Sequence, residues 1–138
     1  MALILALSLA LAACSGGGGK SGEESSGDGT TLEFWTFNEL HEQFYQHMAE
    51  RWNEQNPDRK ITLKANVYPY DDMHNKLLVA LQSGTGAPDL ADVELNKFPN
   101  FLKGTPQLVP LNDIVEPELD HLVRSRLDIY AKDGKYYG

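Results

Sequence analysis

The stretch TLEFWTFNELHEQFYQHMAERWNEQNPDRKITLKANVY, residues 31–68, holds the pattern that decides the fold. Its opening, Thr31 to Phe37, is rich in β-branched and aromatic residues and predicts a strand. Asn38 is a favourable N-cap for a helix starting at the next residue. From there Leu40, Phe44, Met48 and Trp52 recur every four residues with Tyr45 beside them, which gives one apolar stripe on a helix. Glu39 and Glu42 suit the positive end of that helix, and Asn56-Pro57 ends it. Ile61 to Tyr68 alternates cleanly and predicts a second strand.

Downstream, a second helix is expected from a cap at Asp71 or Asp72 to Ser83, with Met73, Leu77, Ala80 and Leu81 on one face and Gly84 as its C-terminal glycine. Pro88 precedes a third short strand, Leu90 to Val93. A short helix is expected around Asn96 to Lys103, ending at Gly104. Another should open at Pro117 with Leu119, Leu122 and Val123 inward. Asp133-Gly134 predicts a hairpin turn between Ile129-Tyr130 and Tyr136-Tyr137. Strand, helix, strand, helix, strand is the order of an α/β layer built on a parallel sheet. Ligands of such sheets bind beyond the C-terminal ends of the strands. That rule picks out residues 36–39 after the first strand and 93–97 after the third.

Upstream of this body the composition changes twice. Residues 1–13, MALILALSLALAA, carry no charge and form an apolar run. A membrane-spanning helix needs roughly 20 residues, so the run reads as the hydrophobic region of a secretory signal. Cys14, the single cysteine, comes next in Leu11-Ala12-Ala13-Cys14. One cysteine forms no internal disulfide. The four residues resemble a bacterial lipobox, which implies lipidation of Cys14 after cleavage before it, and so a membrane contact made by the lipid anchor only. Residues 14–30 are then a tether. Its last 16 positions, SGGGGKSGEESSGDGT, include 11 Gly or Ser, with a coil reach of about 20–24 Å. The α/β body is expected over residues 31–138. Because Gly138 falls inside the return strand of the predicted hairpin, we expect the body to belong to a longer protein.

Charge and motifs exclude several classes of function. With 20 acidic and 12 basic residues the chain has a net charge of −8, which argues against nucleic acid as a partner, since phosphate backbones are bound by clustered Lys and Arg. His41-Glu42 lacks the second histidine four residues on that a zinc-protease helix needs; His47 lies six residues away. Asp89, Asp92, Glu94 and Asn96 lack the spacing of a calcium loop. Ser83-Gly84-Thr85-Gly86 has no following Gly-Lys-Ser/Thr and reads as a helix cap and turn rather than a phosphate cradle. No Gly-x-Ser-x-Gly elbow occurs. These residues call for neither a metal nor a cofactor, and nothing among them demands an enzyme.

The lipobox, the Gly/Ser tether, Phe34-Trp35-Thr36-Phe37 and the helix closing on Asn53-Glu54-Gln55-Asn56-Pro57 together resemble the start of a family 1 extracellular solute-binding protein. Gln82-Ser83-Gly84-Thr85-Gly86-Ala87-Pro88-Asp89-Leu90, Leu108-Val109-Pro110-Leu111 and Asp133-Gly134-Lys135-Tyr136-Tyr137-Gly138 match later landmarks of that family in order. The resemblance implies a periplasmic-binding-protein-like α/β fold, of which this chain is the beginning of the first of two lobes. It implies capture of a small-molecule sugar between the lobes and delivery to ABC permease subunits, at the extracytoplasmic face of the bacterial cell membrane. Asn38 and Glu39 after the first strand, and Glu94 and Asn96 with Lys97 after the third, would hydrogen-bond sugar hydroxyls. Trp35 or Phe37 would stack on an apolar sugar face; since they alternate with Phe34 and Thr36, at least one of them is core. Val93 stands where sugar binders of the family often carry an aromatic. Two alternatives stay open: the same fold binding a peptide, polyamine, metal chelate or anion, and a surface lipoprotein for adhesion or sensing without transport. An anion would need a cation at the cleft, and only Lys97 is placed for it.

Overall fold

The structure, a computed structural model, describes residues 29–138. The expected signal segment, Cys14 and the expected tether up to residue 28 lie outside the described residues. The body opens with β1 (Thr30–Thr36), α1 (Glu39–Gln55), β2 (Ile61–Val67), α2 (Tyr70–Ser83) and β3 (Leu90–Ala91). It continues with α3 (Asn112–Val115), α4 (Arg124–Leu127), β4 (Ala131–Lys132) and β5 (Lys135–Tyr136).

β1, β2 and β3 form a parallel sheet in the order β2-β1-β3. Phe34 lies opposite Ala65 on one side and Leu90 on the other. β1 begins at Thr30, one residue earlier than expected, because Thr30 N–H reaches the Lys60 carbonyl at 2.9 Å. Gly29 permits that start: its φ is +59°, and a Cβ there would sit 2.5 Å from the Lys60 oxygen.

Successive strand residues point to opposite faces, so β1 feeds two cores. Phe34 packs with Ala49 of α1 and Leu63 of β2. Trp35 packs with Met73, Leu77 and Ala80 of α2 and with Phe101. The two helices therefore cover opposite faces of the sheet. Met73 and Leu77 are fully buried, each worth about 1.5–3 kcal/mol of apolar transfer.

α1 starts as predicted: Asn38 Oδ1 accepts from Leu40 N–H at 2.9 Å. It lies close on β2 through a small side chain, and its contact is polar at the margins. Ala49 is its buried residue. Gln46 donates to the Leu63 carbonyl at 3.1 Å. Asn53 holds the first residue of β2 with both ends of its amide, donating to the Ile61 carbonyl at 2.8 Å and accepting from Ile61 N–H at 2.7 Å. The apolar stripe lies beside this contact and remains open, with Leu40 71% and Phe44 57% exposed.

α2 begins at Tyr70 with Pro69 in the cap position and no side-chain cap, rather than at Asp71 or Asp72. Asp71 and Asp72 instead fall in its first turn, where carboxylates still favour the positive helix end. It ends as expected at Gly84, in the left-handed conformation with φ 71°.

Beyond residue 90 the elements are shorter than predicted. β3 is two residues long, not four. The helix expected over Asn96 to Lys103 is a single 3-10 turn, Phe98–Asn100. Pro117 opens only a 3-10 turn, Glu116–Glu118, and Leu122 and Val123 are exposed while Val115 is buried. The Asp133-Gly134 turn is present, both residues having positive φ, but the strands it joins lie closer to it than expected, β4 by two residues and β5 by one. This hairpin is docked on the segment before α3: Leu111 N–H donates to the Tyr136 carbonyl at 2.7 Å, and Asn112 exchanges bonds with Tyr136 N–H and the Gly134 carbonyl.

Candidate functional site

β1 lies between its two partners, so its helical connection leaves toward β2, and the connection from β2 returns past it to β3. The crevice between the C-terminal ends of β1 and β3 is the place where the winding reverses, which is where open α/β sheets receive ligands. Residues 36–38, 69–74 and 92–97 meet there.

The β1 side of the crevice is fixed by Asp92. Its backbone N–H donates to the Trp35 carbonyl at 2.9 Å. Its carboxylate accepts from the fully buried Thr36 hydroxyl at 2.8 Å and pairs with His41 Nδ1 at 2.6 Å. Thr36 Oγ1 in turn accepts from Asn38 N–H at 3.2 Å. β1, β3 and the first turn of α1 are thus tied through one carboxylate.

The β3 side is organised around Glu94. Its carboxylate accepts from the Tyr70 hydroxyl at 2.8 Å, from Asn96 N–H at 2.7 Å and from the Asn96 side-chain amide at 2.9 Å. The Tyr70 hydroxyl first, then these amides, hold the Glu94 carboxyl below the usual carboxylate range. Burial and the Glu94 carboxylate push the Tyr70 phenol up. Lys97 pairs with Asp71 at 2.8 Å, which lowers the Asp71 carboxyl and raises the Lys97 ammonium. The Lys97 ammonium also sits 5.1 Å from the Tyr70 ring centroid.

Glu94, Asn96 and Lys97 therefore stand together, with Asn38 and Phe37 across the crevice. Glu39 is exposed in the first turn of α1 and approaches none of these groups through a hydrogen bond. Asn38 uses its side-chain oxygen to cap the helix, leaving its NH₂ group for other partners. Of the two aromatics, Trp35 is the core member: it is 4% exposed, Lys76 stands 4.3 Å over its ring, and its indole N–H finds no hydrogen-bond partner among the described residues. Phe37 remains at the strand ends, edge-on to Tyr70 at 5.1 Å and near His41 and His74.

Tyr70, His74, Asp92 and His41 are the members that sequence reasoning missed. Tyr70 and His74 stand one helical turn apart, and a histidine at the same helical face as Met73 and Leu77 was the available signal. A groove of about 540 Å³ lies elsewhere, between the second half of α2 (Leu78, Leu81, Gln82) and residues Phe101, Lys103 and Thr105; no site residue lines it.

The sequence profile of the family described as bacterial extracellular solute-binding protein matches residues 38–137. The chain belongs to that family. It is 58% identical over 109 residues to an arabinooligosaccharide-binding protein of Halalkalibacterium halodurans, covering 79% of this chain and 24% of that protein. It is 49% identical over 141 residues to an arabinooligosaccharide-binding protein of Bacillus subtilis, covering 100% of this chain and 31% of that protein. The chain thus spans about a quarter to a third of the length of these curated relatives. Among solved structures, the GacH receptor of Streptomyces glaucescens, determined unliganded and with acarbose, aligns with a TM-score of 0.60 at 26% identity, over 78% of this chain and 28% of that one. A periplasmic solute binding protein of Pectobacterium atrosepticum shares the fold, with a TM-score of 0.61 at 22% identity over 79% of this chain and 26% of that one. The family is extracellular, and its fold is the α/β fold of solute-binding proteins, represented in this chain by a three-stranded parallel core.

Proposed function

We propose that this chain supplies the first-lobe wall of a sugar receptor, one that captures an arabinose oligosaccharide and delivers it to an ABC permease without chemical change. The observation that carries the reading is the Glu94 cluster: a carboxylate pre-oriented by Tyr70 and Asn96 at the crevice between β1 and β3. Such an acceptor takes hydrogen bonds from adjacent sugar hydroxyls, and a polar match that the bound sugar itself buries gives sharp selectivity. The names of the two curated relatives supply the sugar class. Lys97 is neutralised by Asp71, so the crevice offers no free cation among the described residues for an anionic solute, which favours a neutral ligand over the anion alternative.

Calorimetric titration of the full reading frame with arabinotriose tests this. Glu94→Ala should weaken binding by about tenfold or more, through the loss of charge-assisted hydrogen bonds. Unchanged affinity would move the contact elsewhere, and a wild-type protein that ignores arabinose oligosaccharides would overturn the sugar class. The lipid anchor belongs to the same proposal and rests on the Leu11-Ala12-Ala13-Cys14 sequence. Cys14→Ala should move the protein from the membrane fraction to the soluble one, with loss of labelled fatty acid.

A further inference from the structure

His74 is 3% exposed and is bonded at both ring nitrogens. Nδ1 lies 2.6 Å from the Tyr70 carbonyl, and Glu94 N–H points at Nε2 from 3.0 Å. A carbonyl only accepts and a backbone N–H only donates. The assignment is therefore unique: Nδ1 carries the proton, Nε2 offers its lone pair, and the ring is neutral. The ring is also packed, with Phe37 at 5.1 Å and Tyr70 at 4.7 Å between centroids.

The bond to Glu94 matters because of what else holds that segment. β3 pairs with β1 through two residues only, and the last backbone bond to the sheet is that of Asp92 to Trp35. Past it, the backbone bonds of Glu94 run within its own turn, from Lys97 and Phe98 to the Glu94 carbonyl. His74 fixes the Glu94 backbone and Tyr70, one turn earlier on α2, fixes its carboxylate. One helical turn therefore aims both halves of the residue.

We propose that His74 is the positioning residue of the sugar site, holding the Glu94 segment in place only while its imidazole is neutral, so that acidification loosens the site and releases sugar. This role rests on the sugar-receptor reading of the crevice. A proton added at Nε2 replaces an acceptor with a donor, which then faces the Glu94 N–H, so the bond between α2 and the segment after β3 is lost. The titratable and charged groups on the elements packed against the ring are Asp71 and the Tyr70 phenol from α2, Glu94 from the segment after β3 with Lys97 beyond it on Asp71 and the Tyr70 ring, and His41 of α1 across Phe37. Glu94 and Asp71 are attracted to an imidazolium. The new N–H therefore turns toward a carboxylate and draws it from its present partners.

The test has two arms in the full reading frame. Calorimetry with arabinotriose should show wild-type affinity falling by about tenfold or more as the pH is lowered from about 7.5. His74→Gln, which keeps a donor and an acceptor, should retain most of the affinity at the upper pH and lose the pH dependence. His74→Leu should bind at least about tenfold more weakly at the upper pH and also lose the pH dependence. A pH profile shared by wild type and His74→Gln would overturn the proposal, as would His74→Leu binding like wild type. The second arm needs no ligand: nitrogen-15 spectra of the wild-type imidazole should show a protonated Nδ1 and a bare Nε2, with the Glu94 amide signal moving as the ring titrates. The opposite tautomer, or a Glu94 amide indifferent to that titration, refutes the lock even if sugar binds. A protein that shows the lock but binds no arabinose oligosaccharide refutes the sugar reading instead.

Discussion

α1 and α2 carry equally regular apolar stripes, yet the structure treats them in opposite ways. On α2, Met73, Leu77 and Ala80 are buried against Trp35 and Phe101. On α1, Leu40, Phe44, Met48 and Trp52 are all exposed, and Ala49, one position further round, makes the buried contact. The difference is one of anchoring. α2 is drawn onto the sheet by large apolar side chains. α1 is pinned to β2 through amide hydrogen bonds from Gln46 and Asn53, which hold the helix with its stripe turned away from the strands. Periodicity states which face of a helix is apolar; the polar residues that flank it decide whether that face meets the sheet.

Three substitutions probe this contrast, read by urea unfolding. Leu77→Ala removes a side chain that is 2% exposed, and should cost about 2–5 kcal/mol. Asn53→Ala strips both hydrogen bonds from Ile61 and should cost about 1–3 kcal/mol, because partly buried backbone groups lose their partners. If that cost were negligible, the amide anchor would not be what orients α1. Phe44→Ser, on a residue that is 57% exposed, should change stability by less than about 0.5 kcal/mol. A loss as large as that of Leu77→Ala would erase the contrast between the helices.

The reach of the sequence divides in the same way. Through residue 84 the strand and helix order, the Asn38 cap and the Gly84 cap were all legible, because each rests on local chemistry that recurs within a few residues. Past residue 90 legibility falls. Among the described residues β3 pairs on one side only, so its length there is set by its neighbour β1 and not by the β-propensity of Leu90 to Val93. Pro117 suits the first turn of a 3-10 helix as well as that of an α-helix, and a short helix without an apolar partner has little to sustain it. At the candidate site, the strand-end rule selected residues 36–39 and 93–97, the segments that the parallel sheet brings to the crevice, and the family resemblance named Asn38, Glu94 and Asn96 within them. The rule did not find Tyr70 or His74, which reach the site from a helix rather than from a strand end. Nor did it separate Trp35 from Phe37, since strand alternation assigns faces but not distances from the end.

The two faces of the sheet also differ optically. Each has its own tryptophan: Trp35 lies buried beneath Lys76 with Tyr68 at 5.4 Å, while Trp52 is 38% exposed and donates its indole N–H to the Arg59 carbonyl. An indole in apolar surroundings emits at shorter wavelength than one in water, and packing keeps dissolved quenchers from it. Iodide should therefore extinguish the red side of the emission, from Trp52, and spare the blue side, from Trp35, which also collects energy absorbed by Tyr68. Without any label, the spectrum reports the α1 and α2 layers as two separate colours.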